Sequence, residues 1–206
     1  MRLVAAVCGV KRWYLFLAVA LGLATAPLSA CGNEVYKFDP AHSTIAFQVR
    51  QFLGTVKGRF TKFSGTIEVD RDHPEQSSVV ATIQAASIDT TITKRDEHLR
   101  SDEFFNVAKF SEITFKSHRV KQTGRNTGEI TGDLTLHGMT RPITLHVQLM
   151  GDPESLVKNP ESRWRATTAP IRRSQFGLVF SKRAEALSMI ADEVAIEIEI
   201  AAERAR

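Results

Sequence analysis

Hydrophobic and polar residues alternate along most of the chain. The stretch TIAFQVR places Ile45, Phe47 and Val49 on one face and polar side chains on the other. Near the end of the chain, EVAIEIEIAAE sets four apolar residues between 194 and 200 against glutamates. Because successive side chains of a β-strand point to opposite faces, this period of two predicts strands with one buried face.

The alternation changes parity once, early in the chain. Val56, Gly58 and Phe60 are in step, and Phe63 begins a second series that continues in the stretch FSGTIEVD. An odd step between two inward residues requires an extra residue in the strand, so we expect a β-bulge or a bend near residues 61–62.

The same pattern predicts about eight long strands and a single all-β domain over residues 34–203. Regularly spaced strands joined by short turns favour a sandwich or an up-and-down antiparallel β-barrel. A closed barrel of about eight strands has room inside for one small ligand. The further strands are expected at 77–89, 111–122, in EITGDLTLHG, at 143–151, 163–173 and 193–203.

One segment breaks the alternation. The stretch TKRDEHLRSDEFFN, residues 93–106, is highly charged and predicts a short helix or two helical turns. Ser101, followed by Asp102 and Glu103, resembles an N-cap with acidic residues in the first turn.

A cluster of polar side chains lies in this same segment. Arg95, Asp96, His98 and Arg100 fall within six residues. They predict either a local ion-pair network that pins the helical segment over the barrel, or a polar rim that contacts a ligand head group.

The first 30 residues have the features of a cleaved leader. A basic start is followed by Trp13–Ala26, which carries no charge and is too short to span a bilayer. Leu28-Ser29-Ala30-Cys31 looks like the lipobox of bacterial lipoproteins, which implies cleavage before Cys31 and acylation of its thiol. Several acyl chains would hold the protein at a membrane. The alternative is an ordinary secreted protein cut after Ala30.

Loss of the leader changes the charge of the chain. The whole sequence has 27 basic and 23 acidic residues, but residues 1–30 hold three of the basic ones and none of the acidic ones. The nearly neutral remainder gives no support to nucleic-acid binding. Cys8 is lost with the leader, and an acylated Cys31 leaves no thiol for a disulfide.

The inward faces are rich in phenylalanine, which fits either a packed core or an aromatic-walled ligand cavity. The sequence shows no Gly-x-Ser-x-Gly turn, no histidine pair with metal-ligand spacing and no phosphate loop, so we predict neither a catalytic nor a metal site. The candidate cavity residues are Phe47, Val49, Phe60, Phe63, Ile67, Phe104, Phe105, Phe115, Leu134, Leu136 and Phe176.

Several of these stretches together resemble the YceI-like family of periplasmic lipid-binding proteins. The resemblance runs from Tyr36 to Ala201 and is most specific in RDEHLRSDEFF and GDLTLHGMTRPI. It implies an extended, lipocalin-like antiparallel β-barrel that holds an isoprenoid quinone or a polyprenyl phosphate and catalyses no reaction. The chain departs from the family at Gln51-Phe52, where a histidine is often found.

Lipobox and family resemblance together predict a protein of the bacterial cell envelope. We expect an outer-membrane-anchored lipoprotein on the periplasmic side, with a soluble periplasmic protein as the alternative. Two other functions fit the sequence. One is a structural or assembly lipoprotein with a filled barrel, and the other is an enzyme acting on lipid-like molecules through Arg95, Asp96 and His98.

Overall fold

The computed structural model describes residues 33–51, 54–152, 159–179 and 190–205. These residues form eleven β-strands and one α-helix, with a few single turns of 3₁₀-helix between them. The strands are β1 (Glu34–Gln51), β2 (Gly54–Phe60), β3 (Phe63–Val69), β4 (Ser78–Gln84), β5 (Ile88–Asp89), β6 (Glu112–Gln122), β7 (Thr127–Leu136), β8 (Met139–Leu149), β9 (Glu161–Thr168), β10 (Ile171–Arg172) and β11 (Glu193–Arg204).

Eight of these strands close into an antiparallel barrel in the order β1-β11-β9-β8-β7-β6-β4-β3, with β3 paired back to β1. The barrel closes along β1 and β11, where Phe47 lies opposite Ile196 and Tyr36 lies opposite Arg204. Closure removes the unpaired edges that an open sheet would expose. The predicted all-β barrel with one short helix is confirmed.

The predicted bend near residues 61–62 separates β2 from β3. β2 pairs with the second half of β1, and β3 pairs with residues 34–37 of the same strand. At the break, the backbone N–H of Thr61 donates to the carbonyl of Ser87 instead of to a barrel neighbour. The bend lets Phe60 and Phe63 both face inward, although they are an odd number of residues apart.

A two-residue turn joins β7 to β8. His137 and Gly138 have φ of 52° and 72°, and positive φ at both central positions is the geometry that matches the twist of a hairpin. A side chain at Gly138 would also collide with the ring of Phe110, since an added Cβ would lie 2.6 Å from it.

The single helix, α1 (Thr93–Arg100), crosses one end of the barrel. The prediction of Ser101 as an N-cap was wrong, because Ser101 ends the helix. Its backbone N–H donates to the carbonyls of Glu97 and His98, and its hydroxyl donates to His98 as well. The acidic residue in the first turn is Asp96. No described helix is both long enough and apolar enough to cross a membrane.

The two ends of the barrel interior differ. At the end where β1 begins and β11 finishes, Tyr36 and Ala202 are almost completely inaccessible and pack with Ile67 and Phe63. We call this the closed end. Toward the other end, the inward residues of β1, β4 and β11 are only partly buried.

Candidate binding cavity

A cavity of about 460 Å³ occupies the barrel interior. Inward residues from seven of the eight barrel strands line it, all but β3, together with residues of β2 and α1, and nearly all of the described lining residues are aliphatic or aromatic. Its volume lies within the range of about 300–1,000 Å³ that is typical of small-molecule sites. An apolar space of this kind is poorly suited to water, because a buried water needs two to four polar partners.

The cavity opens at the end of the barrel opposite the closed end. Gln51, the last residue of β1, and His98 of α1 are the exposed members of its described lining. Gln51 lies where β11 begins, since Val49 pairs with Val194 at this end. We call this end the mouth.

Most of the residues predicted for the cavity lie on its wall, although their contact with a ligand remains a prediction. Eight of the eleven line the cavity: Phe47, Val49, Phe60, Phe104, Phe105, Phe115, Leu134 and Leu136.

Phe63, Ile67 and Phe176 are not part of the described lining. Phe63 and Ile67 are buried, but they belong to the cluster at the closed end, where they pack with Tyr36. Phe176 lies on a 3₁₀ turn outside the barrel strands and is fully buried, with its carbonyl oxygen 3.2 Å from Nδ1 of His137. Alternation indicates which face a residue takes, but not how deep in the barrel it lies.

Several other lining residues were not predicted as cavity candidates, although the alternation places them on one face of their strands. Val79, Ala81 and Ile83 of β4 share the inward face, as do Val194, Ile196, Ile198 and Ile200 of β11. Trp164 lies among them from β9, with its indole N–H donating to Ser162 at 3.0 Å.

The predicted polar rim divides into two pairs. Arg95 and His98 line the cavity, whereas Asp96 and Arg100 do not. Arg100 instead donates to the carbonyls of Ala86 and Ile88, so the end of α1 is hydrogen-bonded to the chain at the start of β5. Arg100 is therefore not among the described lining residues, and its role at a head group stays a prediction.

Asp96 is buried and directed at the turn that precedes its own helix. Its Oδ1 accepts hydrogen bonds from the backbone N–H and the hydroxyl of Thr90, at 2.9 and 2.5 Å. Arg95 donates to the same hydroxyl and to the Thr90 carbonyl. The local network predicted for this segment exists, but it consists of hydrogen bonds centred on Thr90, and it removes Asp96 from the head-group rim.

Arg173 is a polar lining residue that the sequence reasoning did not select. It is buried on the 3₁₀ turn after β10, and its guanidinium donates to the carbonyls of Leu178 and Ala191 at 2.7 and 3.2 Å. These bonds join two chain segments at the mouth. Burial alone would raise the pKa of nearby Asp192, but hydrogen bonds from Ser174 and the charges of Arg173 and Arg172 lower it.

A second charged group lies at the closed end. Glu34 accepts hydrogen bonds from Tyr36 at 2.9 Å and from Arg71 at 2.6 Å, and Arg204 lies 3.4 Å away. Burial alone would raise the pKa of Glu34, but these hydrogen bonds and the two guanidinium charges outweigh it and lower the pKa. In return, the hydrogen bond to Glu34 and the charge of Glu34 raise the pKa of Arg71, against the effect of burial.

Two predictions fall partly or wholly outside the described residues. Cys31 and Phe52 are both outside them, whereas Gln51 is an exposed lining residue of the mouth. Within the described part of the chain, no group of three or more histidine, cysteine, aspartate or glutamate side chains is arranged to hold a metal ion.

Comparison with known proteins identifies a matching family model and similar bacterial proteins. A family model described as the YceI-like domain matches residues 36–202. The chain is 39% identical over 137 residues to a UPF0312 protein of Vibrio parahaemolyticus, covering 66% of this chain and 71% of that protein.

Solved structures share the barrel. The crystal structure of Burkholderia cenocepacia BcnA matches with a TM-score of 0.71 at 25% identity, covering 80% of this chain and 98% of that one. A polyisoprenoid binding domain from Saccharophagus degradans matches with a TM-score of 0.63, covering 82% of this chain and 98% of that one. At 18% identity the second likeness shows the fold alone.

Proposed function

Because the chain belongs to the YceI-like family, we propose that its barrel binds an isoprenoid lipid and stores or transports it at the cell envelope. The observation that carries this proposal is the apolar cavity of about 460 Å³ with polar residues only toward its mouth. A long hydrocarbon matches such a wall, because burial of apolar surface is favourable in proportion to its area.

The polar residues at the mouth suit the head group of such a lipid. Gln51, Arg95 and His98 lie at the entrance, so a chain inserted tail first would leave its head beside them. Arg95 would favour a phosphate, while Gln51 and His98 offer hydrogen bonds to the carbonyls of a quinone. An isoprenoid quinone and a polyprenyl phosphate are the two ligand classes that we propose.

The protein acts in this proposal as a carrier without catalysis. Of the side chains suggested for an enzyme, Asp96 is engaged with Thr90 and lies outside the cavity lining. Arg95 donates to Thr90, and His98 is exposed with Glu103 3.5 Å away. The three therefore do not converge on a common point in the cavity, as general acid–base chemistry would require.

A structural or assembly lipoprotein with a filled barrel is the second candidate. A filled core at native packing density leaves few voids larger than a water molecule. The cavity is far larger than that, so it favours the carrier.

We also propose that Cys31 is acylated and holds the barrel at the outer membrane. The lipobox Leu28-Ser29-Ala30-Cys31 supports this placement. Metabolic labelling with an alkyne fatty acid tests it: the wild-type protein should be labelled and Cys31→Ala should not. Equal labelling of the two proteins would rule out acylation at this residue.

The binding proposal is tested with the fluorescence of Trp164, which lines the cavity. The other tryptophan, Trp13, lies in the segment that we propose is cleaved as a leader. Quinone rings quench indole fluorescence, so titration of delipidated protein with ubiquinone-2 should give saturable quenching.

A pair of adjacent substitutions shows whether the quencher is inside the barrel. Ala81→Phe fills the cavity and should abolish saturable quenching, whereas Val80→Phe adds the same ring to the outer face of β4. Equal quenching in both variants would place the quinone outside the cavity and contradict the proposal.

A further inference from the structure

The mouth carries exposed apolar side chains that the ligand cavity does not explain. Among the described residues, five large hydrophobic side chains are exposed, and three of them lie at the mouth: Ile92, Met139 and Val179. Ile92 precedes α1, Met139 begins β8, and Val179 follows Leu178, which lines the cavity. Scattered exposed residues are normal, but a group around the entrance of an apolar cavity indicates an interaction surface.

Ile92 is held outward by a strained turn. Thr91 has a φ of 66°, and a β-branched residue in this region is a genuine outlier. Strained backbone of this kind persists only where the surrounding structure enforces it, and it concentrates at functional sites. At this turn it leaves Ile92 with 51% of its surface exposed.

Three side chains fix that turn. Asp89 accepts from the backbone N–H of Thr91 at 2.9 Å, and Asp96 and Arg95 bind Thr90 on its other side. These hydrogen bonds constrain the backbone directly before Ile92, whose side chain is exposed. Arg95 and Asp96 of α1 therefore position the backbone next to Ile92, and Arg95 also lines the cavity.

Basic side chains surround the same entrance. Arg50, Lys57, Lys94 and Arg141 are exposed, and none of them has a carboxylate within salt-bridge distance among the described residues. Arg172 is exposed at this end as well, and so are the carboxylates of Glu97, Asp102, Glu103 and Glu193, so the excess of positive charge is small. Apolar tips ringed by lysine and arginine match a bilayer interface that contains anionic lipid.

From these observations we propose that the mouth of the barrel docks on a lipid bilayer, with Ile92 and Val179 entering the interface. This inference rests on the proposed function, because the docked bilayer is the source or the destination of the isoprenoid. The lipid then passes between membrane and cavity without crossing water. The described part of β1 begins at the closed end, so the mouth is the end of the barrel that lies away from the start of this strand.

Vesicle flotation tests the docking without reference to any ligand. All proteins carry Cys31→Ser, so that no acyl chain contributes, and intact mass defines each N-terminus. Vesicles of phosphatidylethanolamine and phosphatidylglycerol at three to one are compared with vesicles of phosphatidylcholine alone. We expect binding to both and more to the anionic set, with at least about a threefold loss in Ile92→Ser and in Val179→Ser, because each loses one interfacial side chain.

Val80→Ser is the matched control, because Val80 is equally exposed but lies on the outer wall of β4. It should bind vesicles like the parent protein. No vesicle binding by the parent, or equal losses in all three variants, would overturn the proposal.

Loading kinetics separate docking from ligand binding. Vesicles that contain ubiquinone-10 should load the parent faster than Ile92→Ser, while both reach the same final occupancy. If no protein takes up quinone but flotation behaves as expected, the choice of ligand fails and docking stands. If loading requires added periplasmic protein and no vesicle contact, the partner is a protein and the docking proposal is wrong.

Discussion

The ring of Phe47 covers Gly58 on the inner wall of the barrel. The two residues are directly opposite each other on β1 and β2. A Cβ built on Gly58 would lie 2.8 Å from Cε1 of Phe47 and still closer to Cζ, and 2.9 Å from Cγ2 of Thr90. The absence of a side chain lets the ring lie close to the wall, which leaves the centre of the barrel open. Phe115 approaches Gly132 in the same way, with an added Cβ only 2.6 Å from its ring.

We therefore expect Gly58→Ala to reduce the cavity. Thr90 is fixed by Asp96 and Arg95, so the Phe47 ring must move inward to make room for the new methyl group. Bound lipid per protein should fall several-fold, while overpacking costs about 1–3 kcal/mol of stability. Lipid extraction with mass spectrometry and urea unfolding measure the two effects.

Gly54→Ala is the control, because a Cβ at Gly54 would have no heavy atom within 4 Å. It should retain the lipid content of the wild type. Equal lipid content in both variants would show that the ring over Gly58 does not set the cavity volume.

Removal of the Asp96 carboxylate should loosen α1. Asp96→Ala leaves the buried N–H of Thr90 without its acceptor, which typically costs about 1–3 kcal/mol. Urea denaturation should show this loss, and hydrogen exchange should rise in residues 90–100. Glu97→Ala removes an exposed carboxylate from the next position of the helix and should change stability by less than about 0.5 kcal/mol. An equal loss of stability in both variants would mean that the effect comes from removing any acidic side chain of α1, and not from losing the hydrogen bond to Thr90.

Stability should depend on pH through Glu34. Its pKa is lowered in the folded protein because the hydrogen bonds from Arg71 and Tyr36 outweigh the effect of burial. A carboxyl group of this kind stabilises the fold above its unfolded pKa of about 4.3, and that contribution is lost as the pH falls through the folded value.

The free energy of unfolding measured at a series of acid pH values tests this assignment. Glu34→Gln should flatten the decline below about pH 5, because the amide does not titrate. Glu203→Gln, on the exposed face of β11, should retain the slope of the wild type. An unchanged slope in Glu34→Gln would assign the acid sensitivity to other groups.

Bound ligand should raise thermal stability. A ligand that binds only the folded state stabilises it by mass action, by about 2.7 kcal/mol at a hundredfold excess over its Kd. Delipidated protein should therefore unfold at a lower temperature, and ubiquinone-2 should restore it in the wild type but not in Ala81→Phe. Restoration in both proteins would contradict a site inside the barrel.

Alternation in the sequence predicted most of the strands and their inward faces, although the strand predicted at 77–89 ends at Gln84 and the one at 163–173 is interrupted after Thr168. Ile45, Phe47 and Val49 are inward as predicted, and the parity change between Phe60 and Phe63 marked the break between β2 and β3. These features depend on local geometry, since a strand has a fixed period of two.

The cavity itself could not be predicted from the same pattern. Phe63 and Phe60 have the same inward preference, yet Phe63 packs at the closed end and Phe60 lines the cavity. The difference arises because β1 pairs with β3 near its start and with β2 over its second half. This arrangement depends on tertiary contacts and not on the local pattern. Asp96 was misplaced for a similar reason, because its acceptor role depends on where Thr90 lies in the folded chain.

Mass spectrometry of the organic extract of the purified protein tests the central claim most directly. The protein would be exported to the periplasm of a bacterial host, purified without detergent and extracted beside Ala81→Phe as the filled-cavity control. We predict an equimolar isoprenoid quinone or polyprenyl phosphate from the wild type and none from the variant. A lipid-free extract from well-folded wild-type protein, or the same lipid content in both, would contradict a carrier with its ligand inside the barrel.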